Sequence, residues 1–157
     1  MLRLNRYVKV IERLQKWAAD KVPEVFMSAL AQRLPANAAH AAVGTALNIM
    51  DKWECSEKEK MALLGVGRST LHKYQAEPAS ARLSPDLLER ISYVLNIHAV
   101  LRVLFENPEN QYGFLRMPNK NKFFNGKAPM EILSSGLMSA LYEVHRHLDA
   151  TRDGQFS

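Results

Sequence analysis

The sequence predicts an all-α protein, and three observations carry that prediction. Glycine and proline are scarce, seven of each in 157 residues, and most prolines stand where a helix would begin. Apolar residues recur at spacings of three and four along much of the chain. Alternating runs of β-branched residues bounded by turn formers, which mark strands, do not occur. With 47% hydrophobic and 24% charged residues, the chain has enough apolar material for a core and enough charge for a soluble surface.

Residues 2–21 place Leu4, Val8, Ile11, Leu14 and Ala18 on one helical face, with most basic residues elsewhere around it. Pro23 restarts the chain for a second helix over about 24–33, which Leu34-Pro35 ends. Residues 1–44 therefore read as an N-terminal helical segment. Its face serves packing or homodimerisation; attachment to a membrane surface and contact with a DNA backbone are the other readings open to a basic amphipathic helix. An alanine-rich stretch, Ala36 to Ala42, leads into a helix near Thr45–Trp53. Ser56-Glu57-Lys58-Glu59 has the form of a capping box, and the helix it opens ends at Leu64 before Gly65. Ser84-Pro85 opens a helix over 85–95, followed by another over 98–105. Asn107-Pro108 and Ala128-Pro129 repeat the start signal. A last long helix runs from about Gly136 to Ala150, before a polar tail from Thr151 to Ser157.

Charge and composition narrow the function classes. No run of about 18 apolar residues is present, so no membrane-spanning helix is expected. The N-terminus lacks the apolar core and small-residue cleavage site of a secretory signal, and the single cysteine, Cys55, forms no internal disulfide. A cytoplasmic protein is expected. The net charge of +5 and pI near 9.4 suit a polyanionic partner modestly. The charge is uneven: residues 1–22 hold six Lys/Arg against two acidic residues, whereas residues 51–90 hold seven of each.

Within that neutral stretch lies the strongest motif. Residues 57–74 read as two short helices joined by Gly65-Val66-Gly67, with Leu64, Val66, Leu71 and Tyr74 apolar across the corner. This is the pattern of a helix-turn-helix. Its second helix would project Arg68, Ser69, Thr70, His72 and Lys73, at the end of the helix that meets base edges in the major groove of operator DNA. Arg68 suits a bidentate guanine contact, Ser69 and Thr70 phosphate or mixed contacts, and Lys73 the backbone. With the helix before it and two after it, residues 45–105 make a five-helix unit that resembles the phage-repressor type of DNA-binding domain. The competing reading is a helical hairpin that only packs.

The C-terminal segment, residues 106–157, carries Phe114-Leu115, Pro118-Asn119, Phe123-Phe124, Asn125-Gly126 and Pro129-Met130-Glu131-Ile132-Leu133 in that order. With Leu83-Ser84 and the Arg90-centred helix upstream, this resembles the antitoxins with an Xre/MbcA/ParS-type toxin-binding domain over about residues 45–154. The resemblance implies an antitoxin of a type II toxin–antitoxin pair with a small α-helical toxin-binding domain. It implies a RES-domain, NAD-depleting toxin as partner, whose active site the antitoxin blocks, and repression of the shared operon. On that account Leu137, Leu141, Val144 and Leu148 form a toxin-facing stripe on the last helix, and Arg152, Asp153 and Gln155 extend it across the toxin's pocket. The other reading of the stripe is core facing residues 112–133.

An enzyme is not expected. His145 and His147, two apart on a helix, point to different faces and cannot chelate together; Cys55 has no spaced His or Cys partner; and Gly65-Val66-Gly67 follows a helix, not a strand. No metal and no cofactor are expected. Two rival functions stay open: a homodimeric transcriptional repressor without a toxin, and a protein-only inhibitor whose helix-turn-helix has lost DNA affinity.

Overall fold

A computed structural model describes residues 36–152. The expected helices over 2–21 and 24–33, the dimerisation role given to them, and Asp153 and Gln155 lie outside the described residues. Among the described residues every regular element is helical, with α1 Ala36–Lys52, α2 Glu57–Leu64, α3 Arg68–Ala76, α4 Pro85–Leu104, α5 Pro108–Gly113, α6 Pro129–Leu133 and α7 Met138–Arg152. Two single 3-10 turns, Pro78–Ser80 and Phe114–Arg116, join them.

The local start and stop signals act as the sequence indicates. The Ser56 Oγ accepts the Glu59 N–H (3.2 Å) and the Glu59 carboxylate accepts the Ser56 N–H (2.7 Å), closing the box that opens α2. Ser84 and Asn107 cap α4 and α5 through their side-chain oxygens, each ahead of a proline. Ala128 has no side-chain oxygen to offer, so only the return half of a box forms at α6, with the Ala128 N–H bonded to Glu131 at 2.9 Å.

Two helices are longer than expected. α1 includes the alanine-rich stretch because alanine is the best helix former, and it continues through Gly44. The helices expected at 85–95 and 98–105 are one, α4, of 20 residues. Asn96 and His98 interrupt the apolar pattern without breaking the backbone. Leu87, Leu88, Ile91, Val94, Leu95, Ile97, Val100 and Leu101 bury α4 around most of its circumference, so it presents no single apolar face to read.

α4 is the axis of the fold. α1 packs on it, and Val43, Ala46 and Met50 of α1, Trp53 just beyond it, and Leu141, Val144 and Leu148 of α7 share one core. One hydrophobic cluster thus runs from α1 to α7.

At the bottom of that cluster a joint forms between α2, α4 and the start of α7. Gly65 ends α2 in the left-handed conformation (φ 64°). The Arg90 guanidinium of α4 lies where a side chain on Gly65 would be: a Cβ there would come 2.7 Å from Arg90 Nε. Arg90 Nη1 donates to the Ala62 carbonyl at 3.2 Å and to the Gly136 carbonyl at 2.9 Å, while Nε bonds Asp86 at 2.9 Å. Gly136 is also left-handed (φ 73°), which turns the chain beside Ala62 into α7.

Gly65→Ala and Gly126→Ala separate the two demands on these glycines. Both positions have positive φ, so each substitution costs about 1–2 kcal/mol of left-handed strain. A Cβ on Gly126 meets nothing, whereas one on Gly65 displaces Arg90. Urea denaturation is expected to find Gly65→Ala clearly the more destabilising, and equal losses would remove Arg90 from the account.

Candidate functional site

α3 stands out from the core by two anchors, Leu71 and Tyr74, which are buried. Around them Arg68, Ser69, His72 and Lys73 are exposed and Thr70 is half-buried, so the five expected DNA-contacting side chains lie at the outer surface of one helix. Gly67 caps α3 with extended backbone and no side chain, which leaves the first amides of the helix open to an acceptor from outside. Glu57, in the first turn of α2, reaches across: its Oε1 lies 2.7 Å from Arg68 Nε and 3.3 Å from His72 Nε2. Sequence periodicity gave no sign of that link.

The other side of the same first turn of α2 faces the C-terminal segment. Arg116 donates both Nη atoms to the Glu59 carboxylate, at 2.6 and 2.8 Å, and also bonds the Trp53 and Glu54 carbonyls at the end of α1. Glu54 itself is left-handed (φ 55°), a conformation strained for a residue with a side chain, and the Cys55 N–H closes back on the Met50 carbonyl. The Arg116 hydrogen bonds hold Glu59 down from its ordinary 4.5 to about 2. Burial, and next the Glu59 charge, pushes the Cys55 thiol up to about 12, so it is no thiolate nucleophile at neutral pH.

In the C-terminal segment, Asn119 fixes the loop between α5 and α6. Its N–H bonds the Lys127 carbonyl, its carbonyl accepts the Gly126 N–H and its side chain accepts the Asn121 N–H. The loop seats Phe124 in the core and stacks Phe123 on His147, ring centroids 3.9 Å apart. His145 lies on another face of α7 against Tyr93, as the two-residue spacing requires. Between this loop, α6 and α7 runs an open groove of about 460 Å³, lined among others by Phe123, Lys127, Glu131, Ile132, Leu137 and Ala140.

The expected toxin-facing stripe divides. Leu141, Val144 and Leu148 are buried (1%, 0% and 2% exposed) and pack inside the chain, so they do not present an outer surface. Leu137, 61% exposed, stands at the groove. The spacing identified an apolar face correctly as a face; α4 is what covers it. Tyr142, 45% exposed and edge-on to Tyr93, is an outward aromatic that the stripe passed over. Arg152 is ion-paired with Asp149 at 2.9 Å.

Residues 32–96 match the antitoxin Xre-like helix-turn-helix domain, and residues 100–154 match the antitoxin Xre/MbcA/ParS C-terminal toxin-binding domain. The chain is also similar to a Sinorhizobium fredii (strain NBRC 101917 / NGR234) protein described as "Uncharacterized protein y4oB", 36% identical over 107 residues that span 68% of this chain and 80% of that one. The chain belongs to the Xre/MbcA/ParS-type antitoxins. As an antitoxin it combines a DNA-binding helix-turn-helix with a toxin-binding domain, and its family works by binding and not by catalysis. Among the described residues no helix is long and apolar enough to cross a membrane.

Two titratable side chains, His98 of α4 and Glu59 of α2, make the antitoxin's acid stability informative. Burial holds the His98 imidazole down from 6.5 to about 4, so between those values the unfolded chain takes up a proton that the folded one refuses. Its contribution is present above pH 6.5 and is lost as pH falls toward 4; that of Glu59 is present above 4.5 and is lost toward 2. Denaturation midpoints are expected to fall from pH 7 to pH 4, with the slope between 6.5 and 4 flattened in His98→Phe. An unchanged slope in that variant would contradict the assignment.

Proposed function

We propose that this antitoxin neutralises a RES-domain toxin, one that depletes NAD, by covering its active site, and represses the operon the two share. Repression runs through Arg68, Ser69, Thr70, His72 and Lys73 on α3. Toxin contact runs through the groove beside Leu137 and the outer side of α7, with Arg152, Asp153 and Gln155 continuing from the end of that helix. The observation that carries the reading is the pairing of an outward α3 with an open apolar groove on a segment of toxin-binding type. Leu137 is a large apolar side chain held in solvent at a helix start, the arrangement of an interface anchor awaiting a pocket. The protein acts in the cytoplasm as a homodimer, two copies of α3 meeting two half-sites about one DNA turn, ~34 Å, apart.

The reading frame beside this gene provides the test. Expressed alone it is expected to arrest growth with falling intracellular NAD, and co-expression of the antitoxin to restore both. Arrest with steady NAD, still rescued, would replace the toxin's chemistry; no arrest would leave a homodimeric repressor without a toxin as the better account.

Surface variants then separate the two activities without disturbing the core. Arg68→Ala with Lys73→Ala is expected to lose roughly 5–150-fold or more in operator affinity, the worth of a bidentate base contact, and to keep neutralisation. Leu137→Arg is expected to do the reverse. Loss of both activities in either folded variant would contradict the division of labour.

A further inference from the structure

Glu57 is an acidic side chain set against Arg68 and His72 on the reading face of α3, and the capping box of α2 does not use it. The box that opens α2 uses Ser56 and Glu59, and Glu59 turns to Arg116 on the far side of the helix. Glu57, two residues earlier, projects a different way and meets Arg68 and His72, which lie one turn apart on α3. All three side chains are well exposed, at 42%, 74% and 57%. An ion pair this exposed adds almost nothing to folding stability. A carboxylate here also opposes phosphate, because the surface on which it sits is the one that approaches the DNA.

The geometry of the pair shows what it does add. Glu57 Oε1 lies 2.7 Å from Arg68 Nε, so the carboxylate holds the exposed guanidinium from its Nε side. A guanidinium held from its Nε side has its Nη donors to offer to the O6 and N7 acceptors of a guanine in the major groove. The same carboxylate repels phosphate oxygens, so Arg68 and His72 gain less from sliding onto the backbone of arbitrary sequence.

We infer that Glu57 is a specificity-determining positioning residue of the DNA reader: it aims Arg68 at a guanine and withholds Arg68 and His72 from non-specific phosphate contact. The inference rests on the DNA-binding role of α3. Without Glu57 the protein holds DNA more tightly and discriminates less.

The test uses the full chain and two duplexes: one selected by the wild-type protein from a random-sequence pool, and a scramble of the same composition. Binding is measured across a salt series for wild type, Glu57→Gln, Arg68→Ala and the double variant. Glu57→Gln is expected to bind the scramble more tightly, to lower the ratio of selected to scrambled affinity by about tenfold, and to steepen the log–log salt slope by about one for each further phosphate neutralised. In the Arg68→Ala background the same substitution is expected to leave the ratio unchanged. A purely structural role for Glu57 would lower both affinities and the melting temperature together. A ratio that survives Glu57→Gln overturns the inference and leaves the DNA reader standing. A wild-type protein that selects no sequence from the pool overturns both.

Discussion

The antitoxin depends on one guanidinium. Arg90 sits in the middle of α4 and holds the carbonyl that ends α2 and the carbonyl that precedes α7 on a single nitrogen. Ala62 belongs to the helix-turn-helix region and Gly136 to the toxin-binding region, so the bond joins the parts that face different partners. Its 11% exposed side chain makes the joint a sheltered one, where a hydrogen bond to a charged donor is worth about 1.5–3 kcal/mol. Gly65 vacates the space that the guanidinium fills, and Gly136 supplies the left-handed turn (φ 73°) whose carbonyl the guanidinium holds.

α2 illustrates how a short helix can be defined almost wholly from outside. It has eight residues, too few to hold together by helix propensity alone. Arg116 and Glu59 tie its first turn to the C-terminal segment, Arg90 ties its last turn to α4, and Leu63 and Leu64 bury its inner side. Only Glu57 and its neighbours are left to face outward toward α3. Position and aim of the reader therefore follow from contacts made by residues far away in the sequence, 28 and 57 positions distant.

Much of this could be read from the residues, because capping and turn chemistry are local. Ser56, Ser84-Pro85, Asn107-Pro108 and Gly65 announce helix ends through atoms within three or four positions of themselves. The outward set on α3 follows from the burial of Leu71 and Tyr74 between its members. What periodicity could not show is what covers a face. The stripe Leu141, Val144 and Leu148 is apolar whether it meets α4 or another protein, and only the tertiary structure gives it to α4. The continuity of α4 was hidden for the related reason that a helix covered around most of its circumference has no polar side. Glu54 in a left-handed conformation and the Arg116 bonds that surround it are invisible to a rule that looks for glycine.

The DNA-reading and toxin-binding parts open as one unit, because one core and the Arg90 and Arg116 junctions join them. Native-state hydrogen exchange on the full chain measures this directly. The most protected amides of α2, α4 and α7 are expected to share a single opening free energy, and Arg90→Leu to split α7 away at a lower one. If α7 in the wild-type protein already exchanges through its own lower-energy opening while α2 and α4 stay protected, the two parts are independent and the single-unit account is contradicted.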